Sequence, residues 1–90
     1  MNFVWDARKA GSNKKKHDVS FEEASTVFLD PLSITGADPD HSAGEERWLT
    51  FGVSTQGNLL TVAHHDEGET VRIISARSGT KSERKLYEQG

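Results

Sequence analysis

Residues 47–77 most constrain what this chain can fold into, because three strand-patterned segments follow one another there with a glycine-bearing turn between each pair. Residues 47–53, 59–65 and 71–77 alternate with Gln56-Gly57 and Glu67-Gly68, which reads as two consecutive β-hairpins. The last segment, Val71-Arg72-Ile73-Ile74-Ser75-Ala76-Arg77, is the strongest strand signal in the chain. β-Branched residues lead it and apolar side chains fall on both parities, the pattern of a strand covered on both faces or flanked on both edges. It is therefore expected in the middle of the sheet, with Arg72 and Arg77 held on a rigid support.

With an even number of residues in both turns, register follows by arithmetic. Phe51 then faces Val62, Val62 faces Ile73, Leu49 faces His64 and His64 faces Val71. One sheet face would carry Leu49, Phe51, Val53, Leu60, Val62, Val71 and Ile73, an apolar surface for helices to cover. The other would carry Trp48, Thr50, Gly52, Thr61, Ala63, His65, Thr70, Arg72 and Ile74. An odd loop at either turn would swap the faces of the strands beyond it. The second face, with an aromatic ring, an imidazole and a guanidinium on neighbouring rungs, is of a kind that binds nucleic acid by stacking and phosphate contact.

Upstream, Phe3-Val4-Trp5 is a short strand candidate and Asp6 an N-cap for a helix over residues 7–17. Ser20-Phe21-Glu22-Glu23 fits a capping box in which Ser20 caps the Glu23 amide and Glu23 reaches back. Phe21, Ala24, Val27 and Phe28 share one helical face, and Pro31 ends that helix by residue 29 or 30. Residues 32–35 alternate like an edge strand, and residues 36–46 form a polar loop. Its Asp38-Pro39-Asp40-His41 cluster lacks the oxygens at fixed offsets that a hard-cation loop needs, and Asx turns explain the same letters. After Gly79, Thr80-Lys81-Ser82-Glu83 is a second capping box, opening a short helix over residues 81–88 anchored by Leu86 and Tyr87. The order is β-α-α-β-β-β-α with an extra edge strand. That is an α+β single domain spanning residues 1–90, with two N-terminal helices packed on a mostly antiparallel sheet and a short C-terminal helix.

The 90 residues contain no cysteine, so neither a disulfide framework nor a thiolate metal site braces this core. No apolar run approaches the ~18 residues that span a bilayer, so no membrane association is expected and a cytoplasmic location is the default. The net charge of −3 is unevenly placed. Residues 1–17 hold Arg8, Lys9, Lys14, Lys15 and Lys16 against Asp6, a balance of +4, which leaves −7 on the remainder. Such a basic end suits polyanion binding, and a solvated lysine-rich helix explains it equally well.

No Gly-x-Ser-x-Gly elbow or glycine-rich phosphate loop occurs, so a serine triad or nucleotide cradle is not supported. Metal-free cleavage of RNA asks for less. The ribose 2′-OH is the nucleophile, so the protein must align it, move protons and stabilise a dianionic phosphorane. Arginine suits the last task and histidine the proton transfers. The candidates are Arg72 and Arg77 for the phosphorane and His64 or His65 for protons. Lys9, Lys16, His17, Arg47 and Trp48 are the residues expected to hold substrate. Ion pairs from the arginines to Glu45, Glu46 or Glu83 are the structural alternative. A hydrolase in which His41, His64 or His65 joins Asp40 or Asp66 at a metal lacks regular ligand spacing.

The pattern Phe3-x-Trp5-Asp6-x-x-Lys9-x-x-x-Asn13-x-x-Lys16-His17-x-Val19-Ser20-Phe21-Glu22-Glu23-Ala24 is specific. With Asp40-His41, Glu46-Arg47, Arg72-Ile73-Ile74-Ser75-Ala76-Arg77, Glu83-Arg84 and Tyr87, it resembles the BrnT family of bacterial toxins. The resemblance covers essentially the whole chain. It implies a RelE-like fold, a ribonuclease that inhibits translation without a cofactor, and a BrnA-like antitoxin partner in a hetero-oligomer that reaches operator DNA only through the antitoxin. It also favours Arg77 over Arg72 as the catalytic arginine. Gln56 and Glu67 stand near positions where the family pattern implies arginine, and the alternative they support is a catalytically weak or inactive RelE-like module that binds its antitoxin.

Overall fold

The computed structural model describes residues 1–39 and 46–90. The chain runs β1 (Asn2–Val4), α1 (Ala7–His17), α2 (Phe21–Thr26) and a 3-10 turn (Val27–Leu29). It continues through β2 (Ile34–Ala37), β3 (Trp48–Val53), β4 (Leu59–Glu67), β5 (Thr70–Ser78) and α3 (Lys81–Gln89). Among the described residues the strands form a five-stranded sheet in the order β1-β5-β4-β3-β2, antiparallel except for the β1–β5 pair. β4, not β5, is thus the middle strand. β5 has a strand on both sides only over residues 70–72, where β1 runs parallel to it.

The core forms where the stripe of α2 meets one sheet face. Phe21, Ala24 and Val27 pack with Val19 against Leu60, Val62, Ile73 and Ala76, flanked by Phe3, Trp5 and Phe28. The helix starts follow their caps. The Asp6 carboxylate accepts the backbone N–H groups of Arg8 and Lys9, and Ser20 Oγ accepts that of Glu23 at 3.0 Å. The second half of the expected capping box is absent. Glu23 turns instead into the β3–β4 hairpin, where its Oε2 accepts from Ser54 Oγ at 2.7 Å and Asn58 Nδ2 at 2.8 Å. A buried carboxylate gains more from hydrogen bonds that satisfy a tertiary turn than from an amide water can reach.

Two local features overturn the register expected from the sequence. The first hairpin has a three-residue loop, Thr55-Gln56-Gly57, closed by Ser54 N–H donating to Asn58 O at 2.8 Å, with Gly57 at φ 84°. This is the odd loop that a glycine in the left-handed region permits. It pairs Phe51 with Thr61 and Thr50 with Val62, so every side chain of β3 changes face. Trp48, Thr50 and Gly52 point to the helices, and Leu49, Phe51 and Val53 point away. Gly52 is required there, because a Cβ would stand 2.8 Å from Val27 Cγ1. The second feature is a β-bulge. Ala63 pairs with Ser75 and His64 with Ile73, leaving Ile74 as the extra residue. Arg77 therefore does not share the core face: it pairs with Thr61 as Arg72 pairs with His65, and both arginines lie on the face away from α1 and α2.

Beyond Arg72 the outer edge of β5 has lost its neighbour, and Asn13 of α1 takes that place. Its Oδ1 accepts Ala76 N–H at 3.0 Å, and its Nδ2 donates to Ala76 O at 2.8 Å and Val19 O at 2.9 Å. Replacing it should expose how much depends on this clip. Asn13→Ala strands three buried backbone groups, and at ~1–3 kcal/mol for each unmet group, less local relaxation, it should cost about 3 kcal/mol. A Tm fall of roughly 10–20 °C by calorimetry is expected for a domain of this size.

Candidate functional site

The face turned away from α1 and α2 carries two arginine positions four rungs apart, and their surroundings differ. Arg77 is spoken for. Its Nη1 and Nη2 donate to Glu83 Oε1 at 2.8 Å and Oε2 at 2.9 Å, a bidentate pair. Glu83 Oε1 also accepts from Thr61 Oγ1 at 2.9 Å and, completing the second capping box, from Thr80 N–H at 2.9 Å. These bonds, with the Arg77 hydrogen bonds foremost and outweighing the opposing effect of burial, hold the Glu83 carboxyl down at about 2, and Glu83 in turn raises the Arg77 guanidinium above its ordinary value. α3 is fastened at its other end by Tyr87, whose hydroxyl donates to Asp30 Oδ2. Burial works against the Asp30 carboxylate, but the bonds it accepts from Tyr87, Val53 N–H and Leu32 N–H bring it below the usual range.

Arg72 is exposed and makes no ion pair with a described residue. It borders a small depression with Val4, Trp5 and Asp6. Directly across the β4–β5 ladder stands His65, at a spacing that brings the two Cβ atoms within about 5 Å. The His65 ring is held at Nδ1 by Glu46 O at 2.8 Å, and its Nε2 lies 3.3 Å from Glu67 Oε1. A carbonyl partner makes Nδ1 the donor, and Nε2 is turned toward the Glu67 carboxylate.

His64 faces the other way. It is 1 % exposed, with Nε2 at 2.7 Å from Thr50 Oγ1, Nδ1 at 2.6 Å from Asp66 Oδ1, and Phe28 packed edge-on at 4.9 Å. Thr50 Oγ1 is in turn 2.8 Å from Thr35 Oγ1, so the imidazole ties β2, β3 and β4 together from inside. Trp48, opposite His64 on β3, lies on the same inner face and is not brought to Arg72. Arg47 precedes β3, its carbonyl accepting Asp38 N–H at 2.9 Å. Lys9, Lys16 and His17 line a groove between α1 and residues 74–75 of β5. Of the sequence candidates, then, Arg72 and His65 come together, Arg77 joins Glu83, and His64 and Trp48 lie inward. Asp40, His41 and Glu45 fall outside the described residues, so the metal readings that used them do too. Asn13 organises the site without having been a candidate, whereas the Arg77–Glu83 pair is one of the structural ion pairs expected from the sequence. The signal for Glu83 was present in its capping-box position six residues after Arg77.

The three helices and five-stranded mixed sheet make a small α+β fold that is shared with a protein of solved structure. It matches the 1.1 Å crystal structure of the Brucella abortus ribonuclease toxin BrnT with a TM-score of 0.64 and 21 % identity, covering 90 % of this chain and 99 % of that one. The sequence model for the ribonuclease toxin BrnT of type II toxin–antitoxin systems matches residues 5–83, and the chain belongs to that family. Membership implies an antitoxin partner. A search of curated proteins gave no match. Among the described residues no helix is long and apolar enough to cross a membrane.

The depressed Glu83 carboxyl sets a pH signature for α3. With a folded value of about 2 against an ordinary 4.5, the pair's stabilisation is complete above pH 4.5 and is lost as the pH falls toward 2, Arg77 staying charged throughout. Glu83→Gln should therefore lower Tm at neutral pH and flatten its decline between pH 4.5 and 2, as followed by circular dichroism.

Proposed function

We propose that this chain is a metal-independent endoribonuclease of the bacterial cytoplasm that inhibits translation by cutting RNA and is neutralised by a BrnA-like antitoxin, through which alone it reaches operator DNA. The observation that carries the site is the register that sets His65 opposite Arg72, an exposed arginine with no ion pair among the described residues. In this reading the phosphate next to the scissile bond sits against the Arg72 guanidinium. His65 Nε2 takes the proton of the 2′-OH, whose oxygen attacks phosphorus. The phosphorane dianion that forms is stabilised by Arg72, the bond to the 5′-oxygen breaks, and the imidazolium returns the proton to that oxygen. The products are a 2′,3′-cyclic phosphate and a 5′-hydroxyl. Arg77, whose charge Glu83 already balances, is assigned to holding α3 on the sheet. The rival module that binds antitoxin without cutting RNA draws on the acidic Glu67 beside His65, which also disfavours a polyanion there.

Single-stranded RNA cleavage, followed by gel with and without EDTA, tests this. Arg72→Ala should lower kcat by about 10²–10³ and His65→Ala by about 10²–10⁴. Arg77→Ala should act chiefly on Tm. Full turnover by Arg72→Ala removes that arginine from the chemistry, inhibition by EDTA ends the metal-free mechanism, and normal growth of a host expressing the toxin alone favours the binding module.

A further inference from the structure

The groove between α1 and the outer edge of β5 gathers cations without a carboxylate among its lining residues. Arg8, Lys9, Lys16 and His17 form one wall and Ile74 and Ser75 the other. Lys14, by contrast, is paired with Asp18 at 3.0 Å outside the groove. The groove exists because of the bulge: β1 stops at Val4, Asn13 clips Ala76, and the extra residue Ile74 is left at the rim. The depression beside Arg72 is bounded by Val4, Trp5 and Asp6, and two residues further along the chain Arg8 and Lys9 begin the lining of the groove. The one carboxylate between them, Asp6, is turned into the cap of α1, where it accepts Arg8 N–H at 2.8 Å and Lys9 N–H at 3.2 Å.

We infer that this groove is the track for the RNA strand on one side of the scissile phosphate, with Arg8, Lys9 and Lys16 contacting its backbone phosphates. The inference rests on the ribonuclease reading and extends it to how the polymer is held. From Arg8 to Lys16, α1 runs about 12 Å, enough to meet more than one phosphate. The lining chooses between polyanions. A docked protein segment is held mainly by apolar and aromatic anchors in pockets, and Ile74 is the one large apolar side chain in the lining. A nucleic-acid strand needs no such anchor, since counterion release from its phosphates supplies the affinity.

A mixed-sequence oligonucleotide methylated at every 2′-oxygen has no nucleophile and reports binding apart from cleavage. With Arg8, Lys9, Lys16 and Arg72 in contact, log K against log[NaCl] should have a slope of about −2.8 for the wild-type chain, falling to about −1.4 for Lys9→Gln/Lys16→Gln. Both lysines are exposed and glutamine is as good a helix former, so an unchanged circular dichroism spectrum is expected beside the changed slope. On cleavable RNA the double variant should raise KM far more than it lowers kcat. An unchanged slope and KM would overturn the inference even if the enzyme is active, and an unchanged slope with lost antitoxin binding would give the groove to the protein partner. The expected slopes in a chain that cuts no RNA would uphold the groove while rejecting the ribonuclease reading.

Discussion

One buried amide stands in for a strand. β1 pairs with β5 over three residues only, and past Arg72 the buried N–H and C=O of Ala76 would be left under α1 without a strand partner. Asn13 supplies an acceptor and a donor in the geometry of a neighbouring backbone, satisfying Ala76 and Val19 together. An unmet pair of backbone groups there would cost as much as a sizeable fraction of the stability of a domain this small. The clip also fixes the height of α1 over the bulge at Ile74, and so both the exposed sheet face and the cationic groove inherit their shape from it.

Carboxylates do comparable work elsewhere. Glu23 holds the first hairpin turn against α2, Asp30 joins the end of the 3-10 turn to β3 and α3, and Glu83 ties α3 to β4 and β5. Each accepts two or more hydrogen bonds from groups distant in sequence, which is how a chain with a modest apolar core and no cysteine fastens its short helices. Three of the carboxylates on the body of the protein are thus committed to internal hydrogen bonds. The lysine-rich first helix has fewer such partners, and this difference in what the charges are doing matters more for polyanion binding than the net charge does.

The helices and strands were largely legible because their signals are local. Asp6, Ser20 and Thr80 mark the helix starts, the Phe21, Ala24 and Val27 stripe marks the buried face, and Gly57 and Gly68 mark the turns. That Arg72 and His65 share a face was also legible, since they flank a second turn of even length, but the turn falls at Gly68-Glu69, one residue later than expected, and slides their pairing by two. What failed was parity. A loop of three residues and a loop of two look alike when a glycine follows a polar residue, and a bulge leaves no mark on a run as uniformly apolar as Ile73-Ile74.

The sequence by itself determined the α+β class, the order of elements, the family, and the chemical character of the residues available for phosphate contact. Tertiary structure alone decided their company: Arg77 with Glu83, Arg72 with His65, His64 enclosed between Thr50 and Asp66. The physical reason is that side-chain direction in a sheet inverts with a single residue of register. Register here is set by one positive φ at Gly57 and one extra residue at Ile74, both stabilised by contacts that lie far away along the chain.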